Sequence, residues 1–137
     1  MNYKTLSETA TLPCRGDTEA AGYDLYSSEA TVVEPWSRKL VKTDIALEIP
    51  TGYYGRIASR SGLASKGKDV GAGVIDSSYR GEIKVLLINS TSEAFSVGIG
   101  DRIAQIIFEK HFSFEMNKVE TLSASDRGAN GFGSTGN

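Results

Sequence analysis

Cysteine, histidine and tryptophan occur once each in the 137 residues, and proline three times. With Cys14 alone no intrachain disulfide can form, and a reducing compartment fits the chain best. His111 as the single histidine excludes a protein-only zinc site of the His and Cys type. Cys14 is also a poor nucleophile candidate, since His111 is the only imidazole base and nothing in the sequence ties the two together. Basic charge is not in excess: 15 Lys and Arg stand against 17 Asp and Glu, a net charge of −2. Nucleic-acid surfaces need clustered Lys and Arg to displace counterions from phosphate, so no nucleic-acid partner is expected and any anionic ligand is small and bound locally. No apolar run approaches the roughly 18 to 20 residues that span a bilayer, and MNYKTLSETATLP lacks the apolar core of a signal peptide. The expectation is a soluble, cytoplasmic or nuclear chain with no membrane partner.

What the sequence does hold is strand and turn. Short segments rich in β-branched and aromatic residues recur at Tyr23 to Tyr26, Ala30 to Val33, Lys39 to Val41, Asp44 to Ile49, Tyr53 to Ala58, Lys84 to Asn89, Ala94 to Val97, Ile103 to Glu109 and Phe112 to Glu115. Turn residues separate them, among them Glu34-Pro35, Pro50-Thr51-Gly52 and Gly98-Ile99-Gly100. No long segment has a 3.6-residue apolar period, which predicts an all-β sandwich, jelly roll or barrel with one short helix over Ser61 to Lys66. At this length one β-rich domain is expected, over 1–126, followed by a glycine-rich arm over 127–137 that composition alone would make a flexible tail.

Five segments carry chemistry. In GVIDSSYRGE, residues 73–82, two strand-forming residues precede Asp76 and two turn residues follow it. A carboxylate held where a strand gives way to a hairpin would take a proton from an attacking water; equally, it would hydrogen-bond its own turn. In GRIASRSGLAS, residues 55–65, Ser61 is a natural N-cap and Arg60 a forked donor suited to phosphate oxygens, or a surface arginine beside a cap. The tail RGANGFGSTG, residues 127–136, has glycines at P-loop spacing. Ser134 stands where lysine is required, however, and no helix follows, so a Walker-type site is excluded. Such a strip would still wrap a nucleotide, with Phe132 on a base and Arg127, Ser134 and Thr135 on phosphates. In AAGYDLYS, residues 20–27, Asp24 interrupts an apolar strand, a place for an oxygen ligand to a hydrated magnesium. In GDRIAQIIFEK, residues 100–110, Asp101 and Arg102 read as a turn pair and Gln105 as the polar residue of an apolar run.

Together and in order, the five segments resemble the five motifs of the trimeric dUTPase family, from Ala20 to Gly136, and five ordered matches are far more specific than any one. The resemblance implies a jelly-roll subunit, a homotrimer with three composite sites, and hydrolysis of dUTP to dUMP and pyrophosphate with Mg2+. It makes Asp24 the magnesium-side carboxylate acting through water, and Asp76 the general base for the water attacking the α-phosphorus. Arg60, Ser61, Gly62 and Gln105 become phosphate contacts, and Tyr79 the residue that leaves no room for a 2′-hydroxyl. Backbone groups at Gly73 and across Ile83, Lys84 and Val85 would read the uracil edge. Arg127, Phe132, Gly133, Ser134 and Thr135 would form the closing arm. Three departures accompany the match: Ser59 replaces the usual proline, Asn130 replaces a glycine, and Ser65 to Val70 is about one residue short. A related deaminase would need a glutamate where Leu86 stands, and leucine moves no proton.

Overall fold

The computed structural model describes residues 1–131. Among them the chain forms β1 (Asn2–Thr5), β2 (Tyr23–Tyr26), β3 (Thr31–Val33), β4 (Ser37–Lys42), β5 (Ile45–Glu48), β6 (Tyr53–Ala58), α1 (Ser61–Ala64), β7 (Lys68–Gly71), β8 (Val74–Ile75), β9 (Lys84–Asn89), β10 (Phe95–Val97) and β11 (Arg102–Lys110). All ladders are antiparallel. A four-stranded sheet runs β2-β11-β6-β8 and a three-stranded one β4-β9-β7, with β1-β5 and β3-β10 as two-stranded pieces. The expected all-β fold with one short helix is what the residues form.

Strand alternation explains the core. Val85, Leu87 and Asn89 on β9 face inward while Lys84 faces water, the period-two pattern of a half-buried strand. They meet Leu25 of β2, Val41 of β4, Ile45 of β5, Ile57 of β6 and Ile106 of β11 in one cluster. Buried Asn89 completes its hydrogen bonding on the Glu93 and Val33 carbonyls, 2.7 and 3.1 Å away, closing the end of the strand.

Two strands escaped the sequence reading and one expected strand does not form. β1 is exposed at all four positions and β7 half-buried at all four, so neither shows alternation. Phe112 to Glu115 does alternate, yet it pairs with nothing among the described residues, and Phe112, Phe114 and Met116 are 81, 80 and 95% exposed. α1 is shorter than expected and begins differently: Arg60 is its N-cap, without a side-chain cap bond, and Ser61 its first helical residue. Gly67, at φ +72, ends the connection that follows α1 and lets β7 start at Lys68, the tight solution to the short Ser65–Val70 loop.

Candidate active site

Three neighbouring strands assemble the first half of the site. On β2, Leu25 points into the core, so Asp24 faces the other way. Gln105 of β11 lies opposite Asp24 on one side and opposite Ala58 of β6 on the other, and β6 runs directly on into Ser59 and Arg60. A register shift between Arg102 and Ala104 bulges β11 at this point, re-aiming its side chains as bulges beside sites commonly do. The result is an open cleft of about 500 Å³ lined by Asp24, Arg60, Ser61, Gly62, Arg102 and Gln105, among others. Arg60 Nε forms an ion pair with Asp24 Oδ1 at 3.0 Å, and Arg60 Nη1 donates to the Arg102 carbonyl at 3.3 Å. Gln105 Nε2 donates to the Ser59 carbonyl at 3.0 Å, and Ser59 Oγ accepts the Val70 N–H at 2.9 Å, so the serine that replaces proline ties this loop to β7. Gly22 lets the Gln105 amide lie against its backbone, and a Cβ there would push that amide out of place.

The sequence reading passed over Arg102 as a turn residue. Its partner in that reading, Asp101, does serve the turn, accepting the Gly98 N–H at 2.7 Å. Arg102 Nη1, by contrast, reaches Asp24 Oδ2 at 3.4 Å. The bulge that turns it there leaves no trace in composition or periodicity. Cys14 lies behind this half: its carbonyl accepts the Asp24 N–H at 2.7 Å, and its sulfur is 2.9 Å from the Tyr26 hydroxyl. That contact, with burial, pushes the Tyr26 hydroxyl up to about 12, so the phenol stays neutral beside the cleft. The other pairing considered for Cys14 does not occur, since His111 packs edge-on against Tyr54, ring centroids 6.2 Å apart.

The second half surrounds Asp76. Val74 and Ile75 pair with β6, and the Tyr79 N–H returns to the Asp76 carbonyl at 3.1 Å, a tight turn. The flanking strands β8 and β9 enter different sheets, however, so the expected hairpin is a turn between sheets. Because the backbone closes this turn, the Asp76 carboxylate is not consumed by it and accepts no hydrogen bond among the described residues. Arg80, a further residue the sequence reading missed, braces the turn through the Ser77 and Tyr79 carbonyls at 2.6 and 3.0 Å. Tyr79 donates its hydroxyl to the Glu82 carbonyl at 2.9 Å, and its ring lies where any Cβ on Gly81 would be. Asp76, Tyr79 and Lys84 thus share a cavity of about 400 Å³ with Leu40, Val74 and Glu82.

Beside this cavity the three-stranded sheet splays. β7 pairs with β9 only as far as Leu86, then Ala72 and Gly73 turn away at φ +55 and +109. Gly73 passes so near Ile57 that a Cβ would lie 2.7 Å from its carbonyl oxygen. The edges of Lys84 and Val85 away from β4 therefore have no ladder partner, the type of surface that reads a planar base. At Ile83 the N–H goes to the Ile45 carbonyl at 2.8 Å and the carbonyl accepts the Thr43 hydroxyl, so of its backbone groups only the carbonyl has a lone pair left for a ligand.

Arg127 lies among exposed residues, its Nε on the Asn130 carbonyl at 2.9 Å; Asn130 closes the same turn with its N–H on the Arg127 carbonyl at 3.2 Å. Phe132, Gly133, Ser134 and Thr135 lie outside the described residues. Among the described residues no three His, Cys, Asp or Glu side chains converge into a metal cage. Asp24 alone in the cleft fits magnesium, which keeps most of its waters and shares itself between one or two carboxylates and substrate phosphates.

Comparison with known proteins agrees with this geometry. The dUTPase family model matches residues 8–136. The chain is 56% identical over 135 residues to the deoxyuridine 5′-triphosphate nucleotidohydrolase of fowlpox virus, covering 96% of this chain and 93% of that protein. It is 52% identical to the human mitochondrial deoxyuridine 5′-triphosphate nucleotidohydrolase over 99% of this chain, and it spans only 54% of that relative's length. The Staphylococcus bacteriophage 80alpha dUTPase solved with dUPNHPP superposes with a TM-score of 0.93 at 33% identity, covering 98% of this chain and 97% of that one. The chain belongs to the dUTPase family.

Proposed function

We propose that the chain hydrolyses dUTP to dUMP and pyrophosphate, with magnesium, at sites shared between three copies of itself. The observation that carries this reading is the placement of the two half-sites at opposite ends of β6. The register sets Gly55 opposite Ile75, so Asp76 lies level with Tyr54, while Arg60 comes six residues later. At about 3.3 Å per residue that is roughly 20 Å, far beyond the ~3 Å over which a general base acts on a water at a bound phosphate. The base of one copy therefore serves the phosphate cleft of another. Two further observations support assembly. Leu40 and Val74 in the Asp76 cavity are 57 and 66% exposed, and the alternating Phe112, Phe114 and Met116 lie bare on a segment without a partner. Large apolar side chains left this exposed are the kind of surface that another chain covers.

In the assembled site the uracil edge meets the unpaired Lys84 and Val85 backbone beside Gly73, and deoxyribose rests on Tyr79. Arg60 and Gln105 of the neighbouring copy hold the phosphates. Asp76 takes a proton from a water as its oxygen bonds the α-phosphorus, and the α-to-β bridging oxygen leaves with pyrophosphate. Asp24 would hold magnesium through water, and the ion would supply charge neutralisation for that departure.

Two expected results follow from this arrangement. Tyr79→Ala opens space beneath the sugar, so UTP hydrolysis rises relative to dUTP while discrimination against dTTP, set by the backbone edge, persists. If both ratios move together in steady-state assays, the turn has collapsed and Tyr79 is structural. The second concerns shared sites. Asp76→Asn and Arg60→Gln are each expected to be inactive, and co-refolding equal amounts should restore activity at about a quarter of sites, those taking an intact Asp76 and an intact Arg60 from different copies. Self-contained sites would regain nothing, and no recovery in mixed trimers detected by native mass spectrometry would overturn the composite site.

A further inference from the structure

Both oxygens of Asp24 are engaged by guanidinium groups, but the two arginines are held very differently. Arg60 has two anchors, Asp24 Oδ1 at 3.0 Å and the Arg102 carbonyl at 3.3 Å, and its side chain is 29% exposed. Among the described residues Arg102 has one contact, a hydrogen-bonded ion pair from Nη1 to Asp24 Oδ2 at 3.4 Å, and its side chain is 53% exposed. A long, single, solvent-screened ion pair contributes little, so Arg102 is the one that moves at small cost. Asp24 itself is only 16% exposed and keeps Arg60 as its counter-charge if Arg102 leaves. Arg102 also borders a second open cavity of about 450 Å³ that shares Arg60 and Leu63 with the phosphate cleft, so its side chain has room to swing.

We propose that Arg102 is a carboxylate-to-phosphate exchange residue: it leaves Asp24 for the outer phosphates of a nucleoside triphosphate, and in doing so frees an Asp24 oxygen for the hydration shell of magnesium. This rests on the reading of the cleft as the triphosphate site. Guanidinium and hydrated cation compete for the same Asp24 lone pairs, while phosphate oxygens offer the guanidinium a more highly charged, bidentate partner. Nucleotide and metal binding are thereby coupled through one side chain, each favouring the other, as linkage requires. A merely structural Arg102 would support Asp24 whatever ligand is present.

The test uses the full chain as its native assembly, with Arg102→Gln and the conservative Arg102→Lys. Titration calorimetry with the imido analogue of dUTP and magnesium, and separately with dUMP, reads the phosphate contacts without turnover. For Arg102→Gln the expected result is about 10- to 100-fold weaker binding of the triphosphate analogue, the range of a lost hydrogen bond to a charged group, with dUMP within about twofold. Arg102→Lys should recover part of that loss. Electron paramagnetic resonance of Mn2+ without nucleotide should show Arg102→Gln binding the ion roughly threefold or more tightly than the parent, because a competing cation has gone. Unchanged analogue binding would overturn the proposal, as would an equal loss for analogue and dUMP or weaker Mn2+ binding, since those mark a residue that only holds the cleft together. A parent protein that binds dUMP as tightly as the triphosphate analogue would instead sink the reading of the cleft, whatever Arg102 does.

Discussion

Asp76→Asn should bind dUTP almost as the parent does and turn it over about 10² to 10⁴ times more slowly. The amide fills the same volume, so the cavity with Tyr79 and Lys84 keeps its shape. The turn is also indifferent to the change, because it is closed by the Tyr79 N–H on the Asp76 carbonyl and braced by Arg80, neither of which involves the Asp76 side chain. What is lost is the ability to accept a proton. The loss should therefore fall on kcat, with little change in affinity for a triphosphate analogue. An unchanged kcat would make Asp76 a turn residue. A fall in melting temperature with the fall in rate would make it a structural one.

Deleting residues 132–137 should leave a folded protein with a few per cent or less of its activity. All buried apolar residues of the core cluster lie between Leu25 and Ile106, and every described residue from His111 to Asn130 is exposed. The core cluster of the described residues is complete by Ile106, so unfolding temperature and oligomeric state should hold. The deleted stretch carries Phe132, Ser134 and Thr135, the aromatic and hydroxyl groups that would close over base and phosphates, and closure excludes water and completes the site. Because such contacts would hold the bound nucleotide and strengthen as the site closes for reaction, KM should rise and kcat should fall. Full activity after truncation, or a large loss of thermal stability, would contradict a closing arm.

Local chemistry was legible in the sequence and long-range register was not. β2, β6 and β9 announce themselves by alternating β-branched and aromatic residues, and their spans agree with the expected ones. Asp24 and Gln105 stand out as polar residues in apolar runs, whereas Asp76, Arg60 and Tyr79 take their expected roles only from the resemblance of the five ordered segments. That Asp24 and Gln105 sit opposite each other, with Ala58 beyond, depends on strand order, which no local period encodes. Arg102 was misread for the same reason, since only the bulge in β11 aims it at Asp24. Ser61 was read as an N-cap on residue preference, whereas the chain enters α1 one residue earlier, with Arg60 extended at φ −85 and ψ 134. The failure at Phe112 to Glu115 is of another kind. Its alternation is that of a strand, but a period of two reports only that one face is to be buried, not by which chain. In the proposed assembly, a second copy would cover that face and reconcile the exposure with the strand-like pattern.

The most direct test of the account is pyrophosphate release from dUTP, dCTP, dTTP and UTP at equal concentration, with magnesium, on the assembled protein. In the proposed site, backbone groups at Lys84 and Val85 beside Gly73 would meet the base and the Tyr79 ring would lie beneath the sugar, which together would select uracil on a sugar without a 2′-hydroxyl. The account predicts that kcat/KM for dUTP exceeds each of the other three by orders of magnitude, with dUMP and pyrophosphate formed in equal amounts. Comparable rates for two or more of the nucleotides, or release of orthophosphate in place of pyrophosphate, would contradict it.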